Sequence, residues 1–92
     1  MFEINVYTTN DDPLYDKTIK CIKDVLGEED FNTYVRVLNI AKNEVSKEFL
    51  LENKINCVPV IRCNNYLVVG YDPEKIEKYI NKGFDEYMQS KK

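Results

Sequence analysis

The sequence contains no histidine, and that absence excludes whole classes of catalytic chemistry. Serine and cysteine nucleophiles that need an imidazole base are excluded, and so are most zinc sites. Cysteine is scarce too: Cys21, Cys57 and Cys63 are an odd number, and no two of them form a Cys-x-x-Cys pair. A disulfide framework is therefore not expected, and any nucleophile must be activated by its electrostatic surroundings alone.

Long apolar runs and clusters of basic residues are missing as well. No apolar stretch approaches the roughly 20 residues of a membrane span, and the start of the sequence lacks the features of a signal peptide. The net charge of −3 argues against a nucleic-acid-binding surface. We therefore expect a cytoplasmic protein with reduced thiols, no nucleic-acid partner and no membrane partner.

The first half of the sequence predicts two strands with a helix between them. Residues alternate with a period of two at residues 2–8 and again at 33–40, where Tyr34 alternates with Arg36 and Val35 with Val37, which is the pattern of a strand. Between them, apolar residues recur at helical spacing. Asp12 is expected as the N-cap of this helix, Pro13 as its first residue and Gly27 as its end.

The second half predicts a helix, a hairpin and a last helix. The segment "KNEVSKEFLLENK" predicts a helix capped near Asn43. The strands "VPVIRC" and "YLVVGY" are separated by Asn64-Asn65, which favours a tight turn, and Asp72-Pro73 begins the last helix. The inner faces of these two helices are expected to carry Val45, Phe49 and Leu50 in the first, and Ile76, Tyr79, Ile80 and Phe84 in the second.

The order of these elements predicts an α/β fold, β-α-β-α-β-β-α, in a single domain over residues 1–92. The first β-α-β unit must be parallel and right-handed, whereas the last two strands form a hairpin. The expected architecture is a mixed four-stranded sheet with helices on both faces.

Three segments resemble glutaredoxins, which are members of the thioredoxin-fold superfamily. "INVYTT" is similar to the first glutaredoxin strand, and "INCVPVIRCNNY" is similar to the segment in which Thr-Val-Pro holds a cis proline. "VVGYDPEKIEKYI" looks like the start of the last helix in small bacterial glutaredoxin-like proteins. The resemblance spans nearly the whole chain and implies the thioredoxin fold, with Pro59 as the cis proline.

The chain departs from this family at the active-site motif. Where the family has Cys-x-x-Cys, this chain has Asp12-Pro13-Leu14-Tyr15. A thiolate at a helix start is stabilised by the helix amides, and a second cysteine resolves its mixed disulfide. An aspartate at that position keeps the negative group and the helix cap but removes the sulfur chemistry.

Three interpretations of the stretch "NDDPLYDK" are open at this point. It can be a helix cap and nothing more, or a recognition loop in which Leu14 and Tyr15 contact a partner. It can also be a metal site built from Asp11, Asp12 and Asp16, although no calcium-loop spacing is present.

The resemblance also indicates which residues would bind a ligand. In the family, the backbone at the Val58 position pairs with an extended substrate, and the acid at the Asp72 position holds the γ-glutamyl end of glutathione. Like charge around Asp12 is expected to weaken glutathione binding unless Lys17 or Arg62 compensates, so we expect no cofactor. The expected binding residues are Asp12, Leu14, Tyr15, Lys17, Val58, Pro59, Tyr71 and Asp72.

The three cysteines have different expected roles. Cys57 replaces the family's Thr before Val-Pro, and it is either a small buried side chain or a reactive thiol beside the vacant nucleophile position. Cys63 is expected to be exposed at the rim. It lies six residues further along a strand, about 20 Å away, which is too far for a disulfide. Cys21 lies on the flank of its helix, where Lys20 and Lys23 would lower its pKa slightly.

We therefore expect a glutaredoxin-like protein that has lost its dithiol site. The first hypothesis is a non-catalytic binding or regulatory module, with a protein or peptide partner in the groove beside Pro59. The alternative is a thiol-disulfide oxidoreductase that works through Cys57 alone. A third possibility is a structural or oligomer-forming unit that uses the sheet edge or the tyrosine-rich last helix.

Overall fold

The structure is a computed structural model that describes residues 2–90. Four strands and four helices are found within those residues. In chain order they are β1 (Ile4–Thr8), α1 (Tyr15–Leu26), α2 (Glu28–Tyr34), β2 (Val35–Asn39), α3 (Glu44–Glu52), β3 (Val60–Cys63), β4 (Tyr66–Val69) and α4 (Pro73–Ser90).

The strands form one mixed sheet in the order β2-β1-β3-β4. β1 pairs in parallel with β2 and antiparallel with β3, and β3 pairs antiparallel with β4. The predicted α/β fold is thereby confirmed. These directions place the C-terminal ends of β1, β2 and β4 and the N-terminal end of β3 at one end of the sheet, which we call the top.

Helices cover both faces of this sheet. Ile4 and Val6 of β1 point to one face, where α1 and α4 pack, and Tyr7 points to the other, where α3 packs. The alternation read from the sequence therefore reflects two separate hydrophobic layers. The fully or nearly buried core on the α1/α4 side consists of Phe2, Ile4, Val6, Ile22, Ile61, Cys63, Val68, Ile76 and Ile80.

The helix α2 was missed by the sequence analysis, which placed a strand at residues 33–40. The strand begins only at Val35 and ends at Asn39. Gly27, at φ 87°, ends α1 and lets the chain turn directly into α2. Three acids in the first turn of α2 favour that helix start electrostatically. Tyr34 is therefore helical, and its ring packs edge-on against Phe2 at 5.4 Å.

The predicted inner face of α3 needs one correction. Val45 is 76% exposed, and Ser46 and Leu50 are the buried residues of this helix. The Asn43 cap is found as expected, since its side chain accepts a hydrogen bond from the Ser46 N–H at 2.9 Å. With Ser46 and Leu50 facing the sheet, Val45 lies on the solvent side of the helix.

The hairpin and α4 are joined by a close contact. Asn64 adopts φ 53°, so the predicted two-residue turn is found. Its side-chain amide donates to the backbone oxygen of Gly83 at 3.0 Å. Gly83 is buried in α4 and lies directly over the Cys63 side chain. The helix passes this contact and continues to Ser90, so most of the C-terminal segment is helical.

Candidate functional site

Asp12 organises the turn between β1 and α1, although not as the N-cap that the sequence predicted. The helix begins at Tyr15, and Leu14 occupies the N-cap position without a side-chain cap. Asp12 Oδ1 accepts from the Leu14 N–H at 2.9 Å, and Oδ2 accepts from Thr8 Oγ1 at 2.8 Å. The Tyr15 N–H donates to the Asp12 carbonyl at 3.3 Å. Residues 12–15 therefore form a β-turn that leads into α1.

Next to this turn lies a polar cleft of about 460 Å³. Asp12, Tyr15 and Asp16 line it on the α1 side, and Asn39 lines it at the end of β2. Asn39 Nδ2 also donates to Asn10 Oδ1 at 2.7 Å, which ties the turn to the sheet. Two carboxylates and no cation line the cleft, so its electrostatics disfavour an anionic ligand. Residues 2–90 contain no set of three acidic or cysteine side chains placed to hold a metal ion, so the metal interpretation has no structural support.

Across the top of the sheet, the Val58–Pro59 peptide bond is cis. Pro59 is buried, and its carbonyl accepts from the Gly70 N–H at 2.7 Å. Residues 56–58 take part in no backbone hydrogen bond with other residues of the described chain 2–90. The backbone N–H and C=O groups of the half-buried Val58 are therefore without a backbone partner within residues 2–90.

A second, apolar cleft of about 290 Å³ adjoins Val58. It lies between the ends of β1 and β2, the last turns of α3 and the chain before Pro59. Lys47 is the charged residue among those lining it. The other residues that line it are Thr9, Ile40, Leu50, Leu51, Ile55, Asn56, Cys57 and Val58.

The third region is the start of α4. Asp72 Oδ1 accepts from the Lys75 N–H at 3.2 Å, so Asp72 caps this helix as the sequence predicted. Tyr71 is half-buried against the core and lines a cleft of about 680 Å³ between α1 and α4. Lys17 and Cys21 line the same cleft.

The candidate binding residues thus lie around the top of the sheet but in three separate clefts. Asp12 and Tyr15 line the polar cleft, Val58 lines the apolar cleft, and Lys17 and Tyr71 line the α1–α4 cleft. Thr9 lines both the polar and the apolar cleft, so these two clefts are neighbours.

Sequence reasoning missed Lys47 and Leu51 of the apolar cleft. The signal was present: "FLL" in a helix of nine residues cannot turn all three side chains towards the sheet. Leu51 is the one left 68% exposed, and Lys47 lies one helical turn before it.

For each of the three cysteines, the structure contradicts one expectation about its exposure or its pKa. Cys57 is exposed, so the interpretation as a small buried side chain is wrong. Cys63 is only 1% exposed, so its predicted place at the rim is wrong as well. Burial, together with the Asp24 and Glu77 carboxylates, raises the pKa of the Cys21 thiol, which is opposite to the effect expected from its neighbouring lysines.

The buried Cys63 thiol makes the free energy of unfolding depend on pH in the alkaline range. Burial, reinforced by the Glu86 carboxylate, raises the pKa of Cys63 from 9.0 to about 11. The unfolded chain releases this proton first, so the free energy of unfolding falls as the pH rises from 9 towards 11. We measure the free energy of unfolding with urea under reducing conditions at pH 9 and pH 10. Between these two pH values, we expect it to fall by about 1 kcal/mol less in Cys63→Ala than in the parent. Cys57→Ala changes an exposed position and should keep the parent's loss; equal losses in the parent and Cys63→Ala would refute the assignment.

Comparison with known proteins identifies the fold. No protein-family model matches the sequence, and no curated protein matches it. Among solved structures, the chain is similar to the glutaredoxin-like protein NrdH-redoxin from Escherichia coli, whose structure was analysed for its thioredoxin-like activity profile. The TM-score is 0.67 at 18% identity, and the match covers 83% of this chain and 92% of that one. The likeness shows that the chain has a thioredoxin-like fold. No helix within residues 2–90 combines the length and apolar character that a membrane crossing requires.

Proposed function

We propose that this glutaredoxin-like chain is a non-catalytic, cytoplasmic binding module that holds an extended peptide segment of a partner protein beside Pro59. The observation that carries the proposal is that the backbone of residues 56–58 pairs with no other part of the described range 2–90. An extended peptide can pair with such a segment as an added strand, and the main-chain hydrogen bonds then supply affinity.

The turn at the start of α1 supports the non-catalytic part of the proposal. By the resemblance of the sequence, Asp12 stands where glutaredoxins carry their nucleophile, and both of its carboxylate oxygens already accept hydrogen bonds from Thr8 and Leu14. A carboxylate cannot form a mixed disulfide. None of the three cysteines lies within residues 12–15, so no dithiol exchange can begin at this turn.

Glutathione fits this site only in part. The Val58 backbone offers the pairing that a glutathione cysteine would use, and one oxygen of Asp72 already caps α4. Asp12 and Asp16 place negative charge beside the start of α1, which opposes the two carboxylates of glutathione. The proposal therefore treats glutathione as a weak, non-covalent ligand and includes no cofactor.

The exposure of Cys57 favours one second candidate function, a one-thiol redox protein. In that reaction the Cys57 thiolate attacks the glutathione sulfur of a mixed disulfide between glutathione and a substrate protein. A Cys57–glutathione disulfide forms, and the substrate leaves as its thiolate. A free glutathione thiolate then attacks the sulfur of the bound glutathione, which restores the Cys57 thiolate and releases oxidised glutathione, so that glutathione is the reductant of the substrate.

Intact-mass spectrometry with peptide mapping separates the two functions. The reduced protein is incubated with oxidised glutathione between pH 6 and 9 and compared with Cys57→Ser and Cys21→Ser. For a binding module we expect slow modification without preference for Cys57, and no insulin disulfide reduction above the dithiothreitol control.

Rapid modification at neutral pH that disappears in Cys57→Ser would instead establish the one-thiol function. Binding is followed separately, by titrating the ¹⁵N-labelled protein with S-methylglutathione, which cannot form a disulfide. The proposal expects amide shifts centred on residues 56–58, and shifts confined to the α1–α4 cleft would contradict it.

A further inference from the structure

The apolar cleft beside Val58 is shaped for one side chain. Its volume of about 290 Å³ exceeds the roughly 150 Å³ that a benzene-sized ligand fills, yet it lies just below the range of drug-sized sites. Ile40, Leu50 and Ile55 line it, and so does the exposed Leu51. A leucine-sized or phenylalanine-sized group would remove this surface from water.

Among the described residues that line the cleft, the charged side chain is positive. Lys47 is exposed and lines the cleft, and none of the residues lining it carries a carboxylate. Lys47 also forms no ion pair with any residue in the described range 2–90. In a chain of net charge −3, this is a local site for an anionic group beside an apolar one.

The distance between Lys47 and Leu51 limits which kind of ligand can contact both side chains. Lys47 and Leu51 are one helical turn apart, so their Cβ atoms are separated by about 5–6 Å. This distance is short enough for a residue whose side chain lies beside Leu51 to place its own backbone carboxylate near Lys47. Only the last residue of a peptide carries an apolar side chain and a free α-carboxylate together.

We propose that the site takes the C-terminal residues of a partner peptide, with a large apolar last residue in this cleft and its terminal carboxylate at Lys47. This inference rests on the proposed function, because the preceding residues would pair with the free backbone of residues 56–58. It names a partner class that glutathione does not belong to, since the last residue of glutathione is glycine and has no side chain to fill the cleft.

The test uses three synthetic peptides with the ¹⁵N-labelled, reduced full chain. They are acetyl-Gly-Ala-Leu with a free carboxylate, the same peptide as its C-terminal amide, and acetyl-Gly-Ala-Gly with a free carboxylate. We expect the free leucine peptide to bind about tenfold more tightly than the glycine peptide, because an apolar side chain discriminates to this extent. Amidation should weaken binding about two- to fivefold, as expected for one exposed ion pair.

Matched variants locate the two contacts. Lys47→Gln should reproduce the effect of amidation and make the amide and the acid bind alike, whereas Lys42→Gln, another exposed lysine outside the cleft, should change nothing. Leu51→Gln should weaken the leucine peptide only, and Val45→Gln, at an exposed apolar position outside the cleft, should not. Bound leucine peptide should also slow iodoacetamide alkylation of the exposed Cys57.

The outcomes distinguish this inference from the proposed function. All three peptides could shift the amide signals of residues 56–58 and bind with equal affinity. In that case the strand pairing is supported and the specificity for a C-terminal apolar residue is wrong. If none of them shifts these residues, both are wrong. If an internal Ala-Leu-Glu peptide with both ends blocked binds as tightly as the free leucine peptide, the carboxylate at Lys47 comes from a side chain, and the inference of a chain end is overturned.

Discussion

Gly83→Ala is expected to destabilise the protein by about 1–3 kcal/mol, although alanine normally favours a helix over glycine. A Cβ atom at this position would overlap the Sγ atom of Cys63, a residue of β3 that is 1% exposed. Either α4 must lift from the sheet or the hairpin must shift. Urea unfolding of the parent and the variant at pH 7 measures the difference.

A double-mutant cycle identifies the cause. In Cys63→Ala the Sγ atom is gone, and the remaining neighbours of the new methyl group, Asn64 Nδ2 and the residue 63 Cβ, lie at an ordinary 3.6 Å. Gly83→Ala should then stabilise the protein by about 0.5–1 kcal/mol, the usual helix gain. Asn81→Ala, at an exposed position of the same helix, controls for helix propensity. A loss of equal size with and without Cys63 would exclude the Sγ contact as its origin.

The fold could be predicted because its signals are local and repeated. Alternation in β1, the Asn64-Asn65 turn and the acid-proline start of α4 each specify an element from adjacent residues, and the structure contains all three. The helix α2 could not be recognised in the same way. Its seven residues carry no buried side chain, so hydrophobic periodicity, which depends on burial, gave no signal there.

Only those parts of the candidate site that follow from the order of strands and helices could be predicted from the sequence. The resemblance pointed to Pro59, Val58 and Asp72, and in the structure the Val58–Pro59 bond is cis and Asp72 caps α4. The separate clefts were not predictable, because they depend on how α3 is rotated and on which of Leu50 and Leu51 turns outwards. The burial of Cys63 depends on a glycine 20 residues away. Contacts of that kind are set by tertiary packing and leave no local pattern.

Replacing Asp12 and Tyr15 together by cysteine should create disulfide reductase activity in a protein that we expect to have none. The Tyr15 N–H donates to the Asp12 carbonyl at 3.3 Å, which closes a β-turn and brings the two Cα atoms within about 7 Å. A disulfide spans such a distance. The first thiol would precede α1, whose unpaired N-terminal amides stabilise a thiolate. We expect insulin reduction by dithiothreitol to proceed at least about tenfold faster with this variant than with the parent.

The control keeps two cysteines at the same spacing but moves them out of the turn. In Asp11→Cys/Leu14→Cys no backbone hydrogen bond joins residues 11 and 14, and Asp12 retains its acceptors for Thr8 and Leu14. This shifted pair should leave insulin reduction at the background rate. If Asp12→Cys/Tyr15→Cys folds, forms its disulfide by mass and still fails to reduce insulin, the top of the sheet no longer admits a disulfide substrate. The absence of cysteine at residues 12 and 15 would then not be the single cause of the missing reductase activity that we expect.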